Sequence, residues 1–336
     1  MTPGSRRPGQ HRAVVAGEGT ELSGSERPEP GPIAVLPRPS QLFVEAVTSG
    51  GGTVAELSDD TRGLIWLSYT AEADLRDALK THPKIGWVQL AYAGVDSFAD
   101  VLAKESRPGL VWTSAKGAYA EPVAEHALAF TLALLRVFPK RVVATSWSTV
   151  PEGRSLYGLT IVIIGAGGVA LELMRLLEPF DVDVTIVRRA AGPVVGATRT
   201  VQVDQLNAVL PDADIVVVAA ALTGGTRHLI GKPEFEAMKE SAYLVNIARG
   251  GLVDTDALVD ALANGQIAGA GIDVTDPEPL PEGHPLWMEP RCLITPHSAD
   301  TPEMTAPLLA ERIRINVAAF LGGGRFVGTV DPAAGY

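Results

Sequence analysis

The chain changes its hydrophobic rhythm at Ile33. From there short apolar runs recur, at Ile33–Leu36, Val54–Leu57, Leu64–Leu67, Trp87–Leu90 and Leu110–Trp112. Short apolar runs bounded by turn residues read as strands buried on both faces. Between several of them lie helix-like stretches, at Ala71–Lys80 and Asp96–Ala103. A second series begins at Leu159, with strands expected at Thr160–Ile164, Asp183–Val187, Ile215–Ala219, Tyr243–Asn246, Gly269–Asp273 and Cys292–Thr295. Helices fit between most of these, and residues 302–321 read as a final helix. Strands that alternate with helices form parallel sheets, so the pattern predicts two α/β domains.

Two segments break the rhythm. Residues 120–138, AEPVAEHALAFTLALLRVF, are apolar almost all round a helix. A helix without a wet face is covered on several sides, between domains or between subunits. Residues 1–31 are rich in Gly, Pro, Glu, Ser and Arg and have little apolar periodicity; they are expected to be a disordered tail.

Composition narrows the function. A length of 336 residues suits two domains, and 46% hydrophobic residues can bury large cores. The net charge of −11, with no basic stripe, argues against nucleic acid and anionic membranes as partners. Cys292 is the one cysteine, which leaves no disulfide framework and suggests a reducing, cytoplasmic setting. Arg6, Arg7 and Arg12 are followed by no apolar segment, so no signal peptide is expected, and the apolar runs are too short to span a bilayer.

The stretch LTIVIIGAGGVALELMRLL reads as strand, glycine turn and helix. Gly165, Gly167 and Ala170 fill the three positions of a G-x-G-x-x-G/A fingerprint: a tight turn, close backbone approach to a pyrophosphate, and close helix–strand packing. The amides of Gly168, Val169 and Ala170 would then face phosphate from a helix N-terminus. In this context the motif points to a dinucleotide and a Rossmann-like, doubly wound domain. The next strand ends VTIVRRA, with Arg188 and Arg189 where an acidic residue would hold the ribose 2′-hydroxyl of NAD. A guanidinium suits a 2′-phosphate, which favours NADP over NAD; the competing reading leaves both arginines solvated.

Arg249 in NIARGG, Glu278 in DPEPLP and His297 in ITPHSAD lie at or just beyond the ends of predicted strands. In open parallel sheets that edge is where ligands bind. Arg249 offers a planar fork for a carboxylate and can polarise a keto oxygen. His297 can give or take a proton near neutral pH, and Glu278 would orient its ring and stabilise its charged form. The glycines after Arg249 are expected to let backbone and substrate come close. Among the other histidines, His82, His228 and His284 read as loop or surface residues and His11 falls in the tail. His126 reads as a core histidine, with a role near a cleft as the alternative. No Cys/His cluster has metal-ligand spacing, so no metal is expected.

From about Ile33 to the last helix the chain resembles the D-isomer-specific 2-hydroxyacid dehydrogenases. The resemblance rests on WVQLAYAGVDSF, AYAEPVAEHAL, GLTIVIIGAGGVA, ALTGGTRHLIG, NIARGGLVDTDALVDALANGQIAGAGIDV, EPLP, HPLW and ITPHSAD. It implies Arg249, Glu278 and His297 as the catalytic set. It also implies substrate-carboxylate binding by the amides of Ala93, Gly94 and Val95, and cofactor contacts from Thr223, Ile247 and Asp273, with Arg249 and His297 facing both ligands. The expected fold is two Rossmann-like doubly wound domains with an active-site cleft between them: a substrate domain at 32–116 plus 301–336 and a dinucleotide domain at 117–300. The expected activity is hydride transfer between NAD(P)H and a small 2-keto or 2-hydroxy acid, by a homodimer. A nucleotide-sensing relative without a metabolic role is the competing reading.

The sequence departs from the family at Ala221 and Gly224, where proline is common, which is expected to loosen the cofactor loop. Thr275 stands where the family often has an aromatic residue.

Overall fold

The structure, a computed structural model, describes residues 19–22, 24 and 26–333. The chain divides into two compact units, Met1–Tyr119 with Thr301–Tyr336, and Ala120–Asp300.

The first unit opens β1(Ile33–Leu36), α1(Gln41–Ser49), β2(Gly63–Trp66), α2(Glu72–Thr81), β3(Trp87–Leu90), α3(Ala99–Glu105) and β4(Val111–Thr113). Its strands pair in parallel in the order β1-β2-β3-β4. Leu64, Ile65, Trp87 and Val88 are fully buried, as expected of strands covered on both faces. The long helix Pro302–Phe320 returns to this unit: Arg312, itself buried, donates to the carbonyls of Ser114 and Lys116 at 2.9 Å each. Burial pushes the Arg312 guanidinium down to about 10.

The second unit runs α4(Ala120–Leu135), α5(Phe138–Val142), β5(Thr160–Ile164), α6(Gly168–Leu177), β6(Asp183–Arg188), β7(Arg199–Gln202), α7(Leu206–Val209), β8(Ile215–Val218), α8(Lys232–Ala237), β9(Tyr243–Asn246), α9(Thr255–Ala263), β10(Gly269–Ile272) and β11(Cys292–Ile294). Its seven strands are all parallel, in the order β11-β10-β9-β8-β5-β6-β7. The order reverses between β5 and β8. At such a reversal the loops from the two strands run in opposite directions and leave a crevice at the carboxyl ends. Both sheet faces are apolar and buried: Val162, Val216 and Leu244 on one, Ile163, Val217 and Val245 on the other.

Several expectations change. Val54–Leu57 does not form a strand. Val54 makes one parallel bridge to Ile33, and Ala55 and Glu56 are exposed, so the run has no buried face to extend. β7, RTVQ, is an edge strand that the apolar pattern did not announce, because an edge strand needs no continuous apolar run. The apolar helix stops at Leu135 rather than 138, where Val137 turns left-handed (φ 55°) and α5 begins. α4 lies on its own unit's sheet: a side chain at Gly271 of β10 would come 2.8 Å from the Phe130 ring.

Of the expected tail, residues 1–18, 23 and 25 lie outside the described residues. The rest of 19–31 is not free chain. Thr20 donates its amide to the carbonyl of Phe326 at 2.7 Å, and Pro28 is buried against Gly86. Further contacts, among them the Thr20 and Thr329 hydroxyls at 2.8 Å and the Glu21–Arg325 pair at 2.8 Å, dock a segment that has no periodicity of its own. No helix among the described residues is long and apolar enough to cross a membrane.

Candidate active site

The reversal of strand order places two loops side by side. Gly165, just past β5, has φ 118°, and any side chain there would overlap the carbonyl of Ala219, just past β8. Only glycine meets both conditions. Its amide donates to Val187 of β6 at 2.8 Å, which ties the turn to the third strand of the crevice. Gly167 caps α6 in an extended conformation, with open space where a side chain would stand. Gly168, Val169 and Ala170 are the first three residues of α6, whose amides have no partner inside the helix. Ala170 is fully buried, as a small residue packing helix on strand should be. A cradle of free space and helix-terminal amides fits a pyrophosphate.

Arg188 is the last residue of β6 and is half-buried, while Arg189 is exposed and its carbonyl accepts from Gln202 Nε2 at 3.1 Å. Thr223 lies in the loop after β8. Against the expected loosening of that loop, Thr226 Oγ1 accepts the Thr223 amide at 2.8 Å and donates to the Ala221 carbonyl at 2.8 Å. One hydroxyl thus braces what proline would otherwise stiffen.

β9, β10 and β11 are adjacent, so the residues that follow them leave from one edge. Arg249 is three residues beyond β9, half-buried and extended (φ −145°, ψ 144°). Asn246, almost wholly buried, brackets it: its side chain donates to the Arg249 carbonyl at 3.0 Å and accepts the Ala248 amide at 3.1 Å. Ile247 is buried between them. Gly250 has a structural reason of its own. A side chain there would overlap the carbonyl of Thr275, so the residue permits backbone-to-backbone approach. The loop after β10 is pinned at that point, since Thr255 Oγ1 donates to the Asp276 carbonyl at 2.7 Å and Arg227 pairs with Asp276 at 2.8 Å. Thr275 is not a bare wall residue: its hydroxyl donates to the Pro277 carbonyl at 2.9 Å.

That pinned loop carries Glu278, whose Oε1 lies 2.6 Å from Nδ1 of His297. His297 itself is left-handed (φ 50°), an uncommon conformation for a residue with a side chain. Its amide donates to the Asp273 carbonyl at 2.7 Å. The Asp273 carboxylate, 2% exposed, accepts the amides of Ser298 at 2.8 Å and Ala299 at 3.1 Å and the Thr295 hydroxyl at 2.5 Å. With Nδ1–H given to Glu278, the Nε2 of His297 remains for proton transfer.

Asp300 was not anticipated. Burial pushes its carboxyl above the ordinary aspartate range; the charge of Asp273 adds to this, while His297 and Arg249 pull the other way. That Asp300 feels both His297 and Arg249 places the two in one electrostatic neighbourhood. Its position three residues after His297 was the available signal.

In the first unit, Ala93, Gly94 and Val95 follow β3 in an irregular loop. Ala93 is exposed, Gly94 half-buried and Val95 buried. Among the described residues none of their three amides donates a hydrogen bond.

Comparison with known proteins gives a consistent picture. Residues 128–299 match the model of the D-isomer specific 2-hydroxyacid dehydrogenase NAD-binding domain. An uncharacterised protein of Corynebacterium melassecola is 37% identical over 87% of this chain and 95% of its own length. Glyoxylate/hydroxypyruvate reductase B of an Enterobacter species is 32% identical over 83% of this chain and 88% of its own. The solved D-isomer specific 2-hydroxyacid dehydrogenase of Xanthobacter autotrophicus, in complex with NADPH and MES, superposes with a TM-score of 0.79 at 25% identity, covering 92% of this chain and all of that one.

The contact at Gly250 is directly testable. Gly250→Ala should destabilise the second unit by roughly 1–3 kcal/mol, the usual range for forced overpacking. Gly251→Ala, whose nearest neighbour is the far end of the Arg227 side chain at 3.1 Å rather than backbone, should cost clearly less. Thermal melts followed by circular dichroism check this; equal melting of the two variants would show that the Thr275 backbone yields freely.

Proposed function

The chain belongs to the D-isomer specific 2-hydroxyacid dehydrogenase family, and on that footing we propose that it reduces a small 2-keto acid such as glyoxylate or hydroxypyruvate. It is an NAD(P)-dependent oxidoreductase acting on the CH–OH group of 2-hydroxy acids or, in reverse, on the matching keto group. The observation that carries the reading is the 2.6 Å bond between Glu278 and Nδ1 of His297, which fixes the ring and leaves Nε2 as a proton donor. The competing reading, a nucleotide-sensing protein without turnover, gains no support from relatives named as reductases.

The residues take these roles. Gly165, Gly167, Gly168, Val169 and Ala170 hold the pyrophosphate, with Thr223 and the main chain of Ile247 along the same cofactor. The bound dinucleotide supplies the hydride at its nicotinamide ring. A carboxylate has about four acceptor sites; Asp273 uses three within the protein and keeps one for the carboxamide. Arg249 binds the substrate carboxylate through its guanidinium fork and polarises the keto oxygen, which raises the positive character of the carbon that receives hydride. His297 gives its Nε2 proton to the oxygen as negative charge grows there, and Glu278 stabilises the ring in both protonation states. In oxidation His297 takes the proton back. In the first unit, the three amides of Ala93, Gly94 and Val95 are suited to a carboxylate oxygen.

Arg188 and Arg189 favour NADP, since no carboxylate ends β6 to repel a 2′-phosphate. The lone Cys292 fits a reducing cytoplasmic location. A homodimer is supported by the surface that follows α4: Phe138, Val142, Val143, Trp147 and Val150 are all exposed, Trp147 at 93%. Large apolar side chains left exposed within one short segment are suited to an interface.

His297→Ala should lower the rate of 2-keto acid reduction by at least about 100-fold; near-wild-type turnover in a folded variant would remove His297 from the chemistry. Arg249→Lys should be nearly as damaging as Arg249→Ala, because an ammonium lacks the fork; substantial rescue by lysine would reduce Arg249 to a point charge. NADPH should show the lower KM. Arg188→Asp should remove a charge-assisted bond of roughly 1.5–3 kcal/mol, weakening NADPH about ten- to a hundred-fold and NADH much less. The Arg188→Asp/Arg189→Asp double variant tests shared contact, and a wild-type preference for NADH would show both arginines to be solvated. Light scattering should give a dimer at micromolar concentration, and Trp147→Glu with Val143→Glu should give a monomer; a monomeric wild type overturns the assignment.

A further inference from the structure

His126 stands on α4, where its ring packs edge-on against Phe130 with centroids 4.5 Å apart. Its Nε2 lies 3.0 Å from Thr295 Oγ1, and Thr295 Oγ1 lies 2.5 Å from Asp273 Oδ1. An ionised carboxylate only accepts, so the single hydroxyl hydrogen of Thr295 points to Asp273. The hydroxyl then offers His126 nothing but a lone pair, and the imidazole must carry a proton on Nε2. The series therefore has one direction, from His126 through Thr295 to Asp273. It ends on the amides of Ser298 and Ala299, which follow His297 and share the same carboxylate.

This geometry bears on the one strained residue of the site. His297 is left-handed, a conformation that persists only where surrounding bonds hold it. The bonds that hold its backbone come from Asp273 and Thr295: the Asp273 and Thr295 carbonyls accept the His297 amide at 2.7 and 3.0 Å, and the Asp273 carboxylate fixes the next two amides. Thr295 could rotate its hydroxyl elsewhere if nothing occupied its lone pair. His126 removes that freedom.

We propose that His126 is a positioning residue for His297: its Nε2–H orients Thr295, so that Thr295 and Asp273 together clamp the turn that presents the His297 ring to Glu278. The proposal rests on the reading of His297 as proton donor. It differs from a packing role, in which an apolar side chain against Phe130 would serve as well.

Four full-length variants test it. His126→Leu and Thr295→Val remove the hydrogen bond; His126→Gln places an amide donor near the old Nε2, and Thr295→Ser keeps the hydroxyl. Amide hydrogen exchange at Ser298 and Ala299 reads the clamp without turnover. Kinetics with glyoxylate and NADPH read its consequence. The disruptive pair should speed exchange at both amides about tenfold or more and lower kcat about tenfold, with KM for NADPH within about threefold. The conservative pair should stay within about threefold of wild type in both readouts. Wild-type exchange or wild-type kcat in a folded His126→Leu overturns the proposal, as does a Gln variant that behaves like Leu. Should His126→Leu fail to fold, the Thr295 pair decides by the same criteria. If the wild-type chain reduces no 2-keto acid, the functional reading falls, and the exchange result alone decides whether His126 holds the turn.

Discussion

Parallel pairing of β9, β10 and β11 brings three chain exits to one edge of the sheet, and every feature of the site follows from that constraint. A parallel ladder cannot be closed by a hairpin, so each strand must leave at the same edge and cross back through a helix or long loop. Arg249, Glu278 and His297 sit on those exits. Their spacing along the chain is wide, yet His297 and Glu278 end in hydrogen-bond contact. The sheet supplies rigid origins, and the loops need reach only a few residues beyond them.

Loops that short do not hold their shape alone. The Arg249 loop and the Glu278 loop are locked by contact of backbone with backbone at Gly250 and Thr275, with Asn246 bracing the first and Thr255 and Arg227 the second. The His297 turn is locked to β10 through Asp273. Polar groups carry these locks, and two of them, Asn246 and Asp273, are buried, where a hydrogen bond left unmade is costly. The arrangement is thus preorganised: the imidazole is already oriented before any substrate arrives, and little reorganisation remains for the moment of proton transfer.

Charge is arranged to the same end. Arg249 and His297 supply positive character, Glu278 balances one of them, and Asp300 sits in the same neighbourhood with its carboxyl raised by burial.

Most of the strands could be read from the sequence, because a strand buried on both faces must be continuously apolar, as at Thr160–Ile164 and Ile215–Val218. The glycine fingerprint was legible for the same kind of reason: Gly165 occupies a backbone conformation and a space that other residues cannot. Arg249, Glu278 and His297 stood out as ionisable residues at strand ends. What escaped was whatever depends on partners distant in sequence. β7 is an exposed edge with no apolar signature, and Val54 lacks a second face to make a strand. Thr226, Asn246 and Asp300 are ordinary residue types whose roles arise only from what folds against them. Local chemistry and steric necessity are written residue by residue; hydrogen-bond partnership across 169 positions, as between His126 and Thr295, exists only once the sheet and α4 have packed.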